Sequence, residues 1–85
     1  MSRRVVLDLP ESAFSALRAD DDELGRELRL AAAVKWYELG KLSQSRAAEL
    51  AGLSRFDFIQ ALARFGVAPV QETVAELSEG LAREK

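Results

Sequence analysis

The chain has 85 residues, 48% of them hydrophobic and 31% charged, with 12 basic against 14 acidic side chains and a net charge of −2. That gives one small globular core and no room for a second, cofactor-binding domain, and it argues against a broad polyanion-binding surface, so any nucleic-acid contact must be local. Histidine and cysteine are both absent, which excludes disulfide staples, thiolate nucleophiles, imidazole acid–base chemistry and zinc sites built on either residue.

Taken in chain order, Arg3 to Pro10 reads RRVVLDLP. Val5, Leu7 and Leu9 fall on one face and Arg4, Val6 and Asp8 on the other, the alternation of a short half-buried β-strand. A strand needs a ladder partner for its N–H and C=O groups. The partner is expected to be the same segment of a second copy, with Val5, Leu7 and Leu9 as the dimer seam, or residues Val67 to Gln71 of the same chain. Pro10 ends the strand and opens a short helix from Glu11 to Arg18, with Phe14 and Leu17 on one stripe.

Asp20-Asp21-Asp22-Glu23 lies just before the longest helical pattern. Asp20 as cap and Glu23 as the third helical residue form a capping box, with the remaining charge complementing the helix dipole. That account is preferred to a cation site. The helix is expected to bury Leu24, Leu28, Ala31, Ala32 and Leu39 and to stop at Gly40. Trp36 and Tyr37 are assigned to packing against the next helix or a partner subunit.

Ser43 is placed to cap a helix that Gly52 ends, and Ser54 to cap a second one from Arg55 to Phe65 with Phe58, Ile59 and Leu62 inward and Gly66 as its stop. Counted from Gln44, small Ala48 is fifth, Gly52 ninth, Leu53 tenth and Phe58 fifteenth. This is the spacing of a DNA-binding helix-turn-helix, spanning residues 43–66. An ordinary αα-corner meets the same steric demands without touching DNA. In the DNA reading Ser54, Arg55, Asp57, Gln60 and Arg64 face outward, Arg suiting guanine and Gln adenine. Gln44, Ser45 and Arg46 open the first helix, where they can hold a phosphate. Asp57 serves only against cytosine or as a brace for a neighbouring Arg. With three basic and two acidic residues in Ser43 to Gly66, one copy would bind weakly, and two copies on a palindrome are expected. A ribbon-helix-helix reading is disfavoured, because Arg4, Val6 and Asp8 make a poor base-reading face.

The strand RRVVLDLP, the helix ending WYELGKLS and the stretch AAELAGLSRFDF, in that order, resemble the uncharacterised protein family 0175, small prokaryotic proteins regarded as antitoxin-like and often encoded beside a PIN-like ribonuclease toxin. The likeness runs from about Arg4 to Val70 and is most specific over KLSQSRAAELAGLSR, Lys41 to Arg55. The tail departs most from the pattern. The resemblance implies a type II antitoxin that binds operator DNA and neutralises its toxin by protein contact.

Residues 71–85 form a second region, an acidic amphipathic helical tail in which Val74, Leu77 and Leu81 make a narrow apolar stripe among Glu72, Glu76, Glu79 and Glu84. Such a helix suits an apolar groove on a basic partner, or it packs on its own domain. Resemblance to the antitoxins adds Arg83 and Lys85 as carboxylate partners near the toxin's metal-binding residues.

The expected architecture is mainly α, a short N-terminal strand followed by a helical domain over residues 1–70, and dimeric. The chain is expected to be cytoplasmic, since no apolar run approaches the ~18 residues of a membrane span. It is expected to have no enzymatic activity, cofactor, metal, small-molecule substrate or membrane partner. A stand-alone DNA-binding regulator and a protein-binding adaptor with a scaffold helix-turn-helix are the alternatives.

Overall fold

The computed structural model describes residues 2–69 of the chain. Among these the fold is mainly helical: α1 (Glu11–Leu17), α2 (Asp21–Glu38), α3 (Gln44–Ala51) and α4 (Arg55–Arg64). The starts follow from the caps. The Glu23 N–H donates to Asp20 Oδ1 at 2.8 Å while the Asp20 N–H donates to Glu23 Oε1 at 3.0 Å, a complete capping box that satisfies two otherwise orphan donors. Ser43 Oγ accepts from the Arg46 N–H at 3.2 Å and Ser54 Oγ from the Asp57 N–H at 3.1 Å.

All four helices stop in the same way. A left-handed residue just past each last turn lets two N–H groups fold back on the final carbonyls, as when Gly66 donates to Ala63 O and Val67 to Leu62 O. Gly40, Gly52 and Gly66 take the positive φ at the ends of α2, α3 and α4, but α1 uses Arg18 at φ 52°. A residue with a Cβ is strained there by about 1–2 kcal/mol.

The core lies where α2, α3 and α4 meet. Ala33 and Val34 of α2, Ala47 and Ala48 of α3, Phe58 and Leu62 of α4, and Val67 pack as one buried cluster, with Leu30, Tyr37, Leu42, Leu50, Ala51 and Leu53 around it. The alanines at this junction let the helix backbones approach closely, and Phe58 and Leu62 supply the bulk. Tyr37 meets Phe58 edge to face, with ring centroids 6.0 Å apart and planes at 85°, a favoured aromatic geometry. Arg29 reaches from α2 to the end of α3, where its Nε donates to the Leu50 carbonyl at 2.8 Å. It supplies the positive charge that the last turn of α3 lacks.

Two expectations are corrected. The segment before Pro10 forms no strand, and no strand occurs among the described residues. A strand is defined by its ladder, and nothing in the described part of one chain offers an edge: Val67 is buried and its N–H is committed to Leu62 O. Val5 and Leu7 are accordingly 78% and 62% exposed. The inward face of α2 is also not the expected one. Leu24 is buried, but Leu28 and Leu39 are exposed, Ala31 faces solvent and Ala32 is half-buried, while Ala33 and Val34 are buried instead. The helix carries two apolar stripes, and the one that joins the core is that of Leu30, Ala33, Val34 and Tyr37. Of the aromatic pair, Tyr37 packs inward and Trp36 keeps much of its surface exposed. No helix among the described residues is long and apolar enough to cross a membrane.

Candidate nucleic-acid interface

The α3–α4 pair is joined by Gly52, Leu53 and Ser54, and the turn is set by local chemistry. Gly52 has φ 74°, which lets the Leu53 N–H return to Ala48 O at 2.9 Å. A Cβ at Gly52 would lie an ordinary 3.5 Å from the Arg29 guanidinium, so the backbone conformation and not space favours glycine.

Gln44, the first residue of α3, is buried. Its Oε1 accepts from Arg55 Nη2 at 2.7 Å and from Arg55 Nε at 3.2 Å, and its Nε2 donates to the Pro69 carbonyl at 3.1 Å. The Tyr37 hydroxyl donates to the same carbonyl. This fixes the orientation of the amide, since a flip would set donor against donor at Arg55 and acceptor against acceptor at Pro69. Arg55, the first residue of α4, stands exposed with the Nε–Nη2 side of its guanidinium held. The end-on pair of N–H groups, one from each Nη, makes no hydrogen bond to the described residues. That is the edge a guanine O6/N7 pair or a phosphate would take.

The other expected contact residues are distributed unevenly. Ser45 and Arg46 are exposed on the first turn of α3, Arg46 with a solvent-exposed ion pair to Glu49 at 3.3 Å. Ser54 is occupied as a cap. Asp57 lies in the first turn of α4, where its charge complements the helix dipole. Asp57 is the expected brace for a neighbouring Arg, but Arg55 is held by Gln44, and Gln44 is thereby a buried support and not an outward phosphate ligand. Gln60 is exposed on the outer face of α4. Arg64 does not share a surface with Arg55. The two lie about two and a half turns apart at about 3.6 residues per turn, on opposite sides of the helix. Arg64 instead lines an open groove of about 670 Å³ with Leu17, Arg18, Arg26, Leu30 and Leu53 among its walls.

Sequence reasoning missed Phe56, which is 69% exposed on the first turn of α4. The signal was present: it lies two residues from buried Phe58, hence on the opposite side, in line with Gln60 and Ala63. An exposed aromatic there suits a thymine methyl group or an apolar protein surface. The proposed seam residues Val5, Leu7 and Leu9 are exposed in the single chain. Val74, Leu77, Leu81, Arg83 and Lys85, the expected partner-binding residues, lie outside the described residues, as does the tail region 71–85. No group of three or more acidic, histidine or cysteine side chains among the described residues is arranged to hold a metal ion.

No solved structure matches the chain. Two proteins of Aeropyrum pernix, each called a UPF0175 protein, are similar to it: one is 41% identical over 94% of this chain and 84% of its own length, the other 40% identical over 99% and 100%. The likeness thus extends into the tail, past the Val70 limit read from the motifs. With the family model for the uncharacterised protein family UPF0175 matching residues 1–83, the chain belongs to that family.

Proposed function

We propose that the protein is a DNA-binding antitoxin of a type II toxin–antitoxin pair, acting in the cytoplasm as a homodimer. The α3–α4 pair serves as a helix-turn-helix with α4 in the major groove. The observation that carries this reading is Arg55, exposed at the start of α4 and held by buried Gln44 with its end-on edge open. Pre-positioning of this kind is what bidentate reading of a base or phosphate requires. Ser45 and Arg46 stand exposed on the first turn of α3 and Phe56 and Gln60 on α4, further round the helix than Arg55, and the low local charge calls for two copies on one palindrome. The exposed apolar segment before Pro10, with its alternating pattern, supports pairing with a second copy, which would supply the missing ladder. Neutralisation of a PIN-like ribonuclease through the tail is supported by the acidic amphipathic pattern of residues 72–84.

The test is fluorescence anisotropy with labelled DNA from upstream of the protein's own reading frame, at two salt concentrations, for the wild type and Arg55→Ala. Binding should weaken with salt, and Arg55→Ala should cost about 1–3 kcal/mol. Co-purification with the nuclease encoded beside it, where there is one, tests the antitoxin half, and absence of such a neighbour would favour a stand-alone regulator. A second reading, a protein-binding adaptor whose α3–α4 pair is scaffold, is favoured by the exposure of Phe56 and the net charge of −2. Absence of salt-dependent DNA binding by a folded dimer would select it.

A further inference from the structure

The side chains behind Arg55 form a continuous chain of hydrogen bonds that ends on the main chain at Pro69. Arg55 Nε and Nη2 donate to Gln44 Oε1, Gln44 Nε2 donates to the Pro69 carbonyl, and the Tyr37 hydroxyl donates to that same oxygen. Pro69 is the last described residue, and residues 70–85 follow it in sequence. Gln44 is buried, so water has little access to replace either of its bonds. A primary amide is the side chain that accepts at one end and donates at the other from a rigid plane. Rotating it to follow a displaced carbonyl must therefore move its oxygen relative to the guanidinium. Tyr37 resists such displacement, because its ring is fixed against Phe58 in the core.

We infer that Gln44 is a two-ended positioning residue that makes the setting of the Arg55 guanidinium depend on how the chain is held at Pro69, so that a displacement of the Pro69 carbonyl alters DNA binding through Arg55. The DNA clause rests on the reading given under the proposed function, whereas the brace stands without it. Loss of the Gln44 contact frees a long side chain to sample many rotamers, and its restriction must then be provided during binding.

The experiment has two readouts on the full chain. The first is ¹⁵N-edited NMR of the Arg55 Nε–Hε group, without DNA, in the wild type, Gln44→Leu, Gln44→Glu and Tyr37→Phe. Gln44→Leu should speed Hε exchange with solvent by roughly fivefold to tenfold, the loss of about one hydrogen bond. Tyr37→Phe keeps the ring against Phe58 and should still shift the Arg55 signal, although no hydrogen bond joins its hydroxyl to Arg55. Gln44→Glu keeps the acceptor for Arg55 and removes the donor to Pro69, so it should retain slow exchange and abolish the response to Tyr37→Phe. The second readout is the anisotropy titration: Gln44→Leu should weaken DNA binding roughly fivefold to tenfold, and this loss should vanish in the Arg55→Ala background.

An Arg55 signal indifferent to Gln44→Leu overturns the brace, and one indifferent to Tyr37→Phe overturns the link to Pro69. An undiminished loss of affinity for Gln44→Leu in the Arg55→Ala background also overturns the inference, because Gln44 would then act on DNA by itself. If the wild type binds no DNA while the NMR responses hold, the DNA-binding reading is what fails. Circular dichroism melts identify any variant that does not fold, and Tyr37→Phe, which removes only a hydroxyl, keeps the test open should Gln44→Leu be one.

Discussion

Residues 2–18 and residues 44–67 are both rich in apolar side chains, yet they end in opposite conditions. Of the first stretch, Val5, Val6, Leu7 and Leu17 are well exposed and α1 buries no residue at all. Of the second, Ala47, Ala48, Phe58, Ala61, Leu62 and Val67 are buried. Local signals do not account for the difference, since α1 has its own turn of terminating hydrogen bonds, Arg18 N–H to Ser15 O and Ala19 N–H to Phe14 O. The contrast lies in what each stretch meets. The α3–α4 pair folds its apolar stripes onto each other and onto α2, whereas α1 touches α2 only enough to half-bury Ala13 and Phe14, and the residues before Pro10 stay exposed. Apolar pattern proposes a buried surface, and only a partner makes it one.

This comparison can be broken most forcefully on the buried side. Phe58→Ala should cost about 3–5 kcal/mol, much of the stability a domain of this size has, and thermal melting by circular dichroism should show a collapsed or barely cooperative transition. A melt lowered by only a few degrees would mean that the α2–α3–α4 junction is not the main source of stability.

The exposed side is tested by association. Leu7→Asp places a charge in the proposed seam but outside the core cluster, which contains no residue of this segment. Sedimentation should find the wild type dimeric at micromolar concentration and the variant dissociating at least about tenfold more readily, the effect of roughly 1.4 kcal/mol, with helical content unchanged. A monomeric wild type would remove the N-terminal segment from the dimer and leave its apolar residues for a different protein.

The helix ends sharpen the comparison further, since the same terminating geometry is built with glycine in one region and arginine in the other. Gly52→Ala should destabilise by about 1–2 kcal/mol, because φ 74° penalises a Cβ even though its contact with the Arg29 guanidinium would be an ordinary one. Arg18→Gly should act in the opposite direction and stabilise by roughly 0.5–1 kcal/mol, the relief of strain being partly offset by the greater freedom of glycine in the unfolded chain. Denaturant titration of both variants measures the pair. Equal and opposite shifts are not expected; a destabilised Arg18→Gly would show that the arginine makes contacts outweighing its backbone strain.

Much of the local architecture was legible. The Asp20–Glu23 capping box, the caps at Ser43 and Ser54, and the stops at Gly40, Gly52 and Gly66 all fall where the residues indicate. Each depends on hydrogen bonds or dihedral angles within a few residues, and short sequence windows contain all the parties. The candidate interface was legible only in outline. Arg55 could be named, but its brace joins residues 11 and 25 positions apart, and no periodicity connects such pairs. Arg64 was grouped with Arg55 by composition, although helix geometry alone sends them to opposite sides.

By itself, then, the sequence determined where helices begin and end and that α3 and α4 meet through a tight turn, because capping, chirality and the small residues at the crossing act over one or two turns. The tertiary structure decided which of the two apolar stripes of α2 is buried, that Arg29 closes the end of α3, and that Gln44 faces inward to hold Arg55. Those outcomes depend on which surfaces come together across 11 to 25 residues, and burial is a property of the pair of surfaces, not of either segment alone.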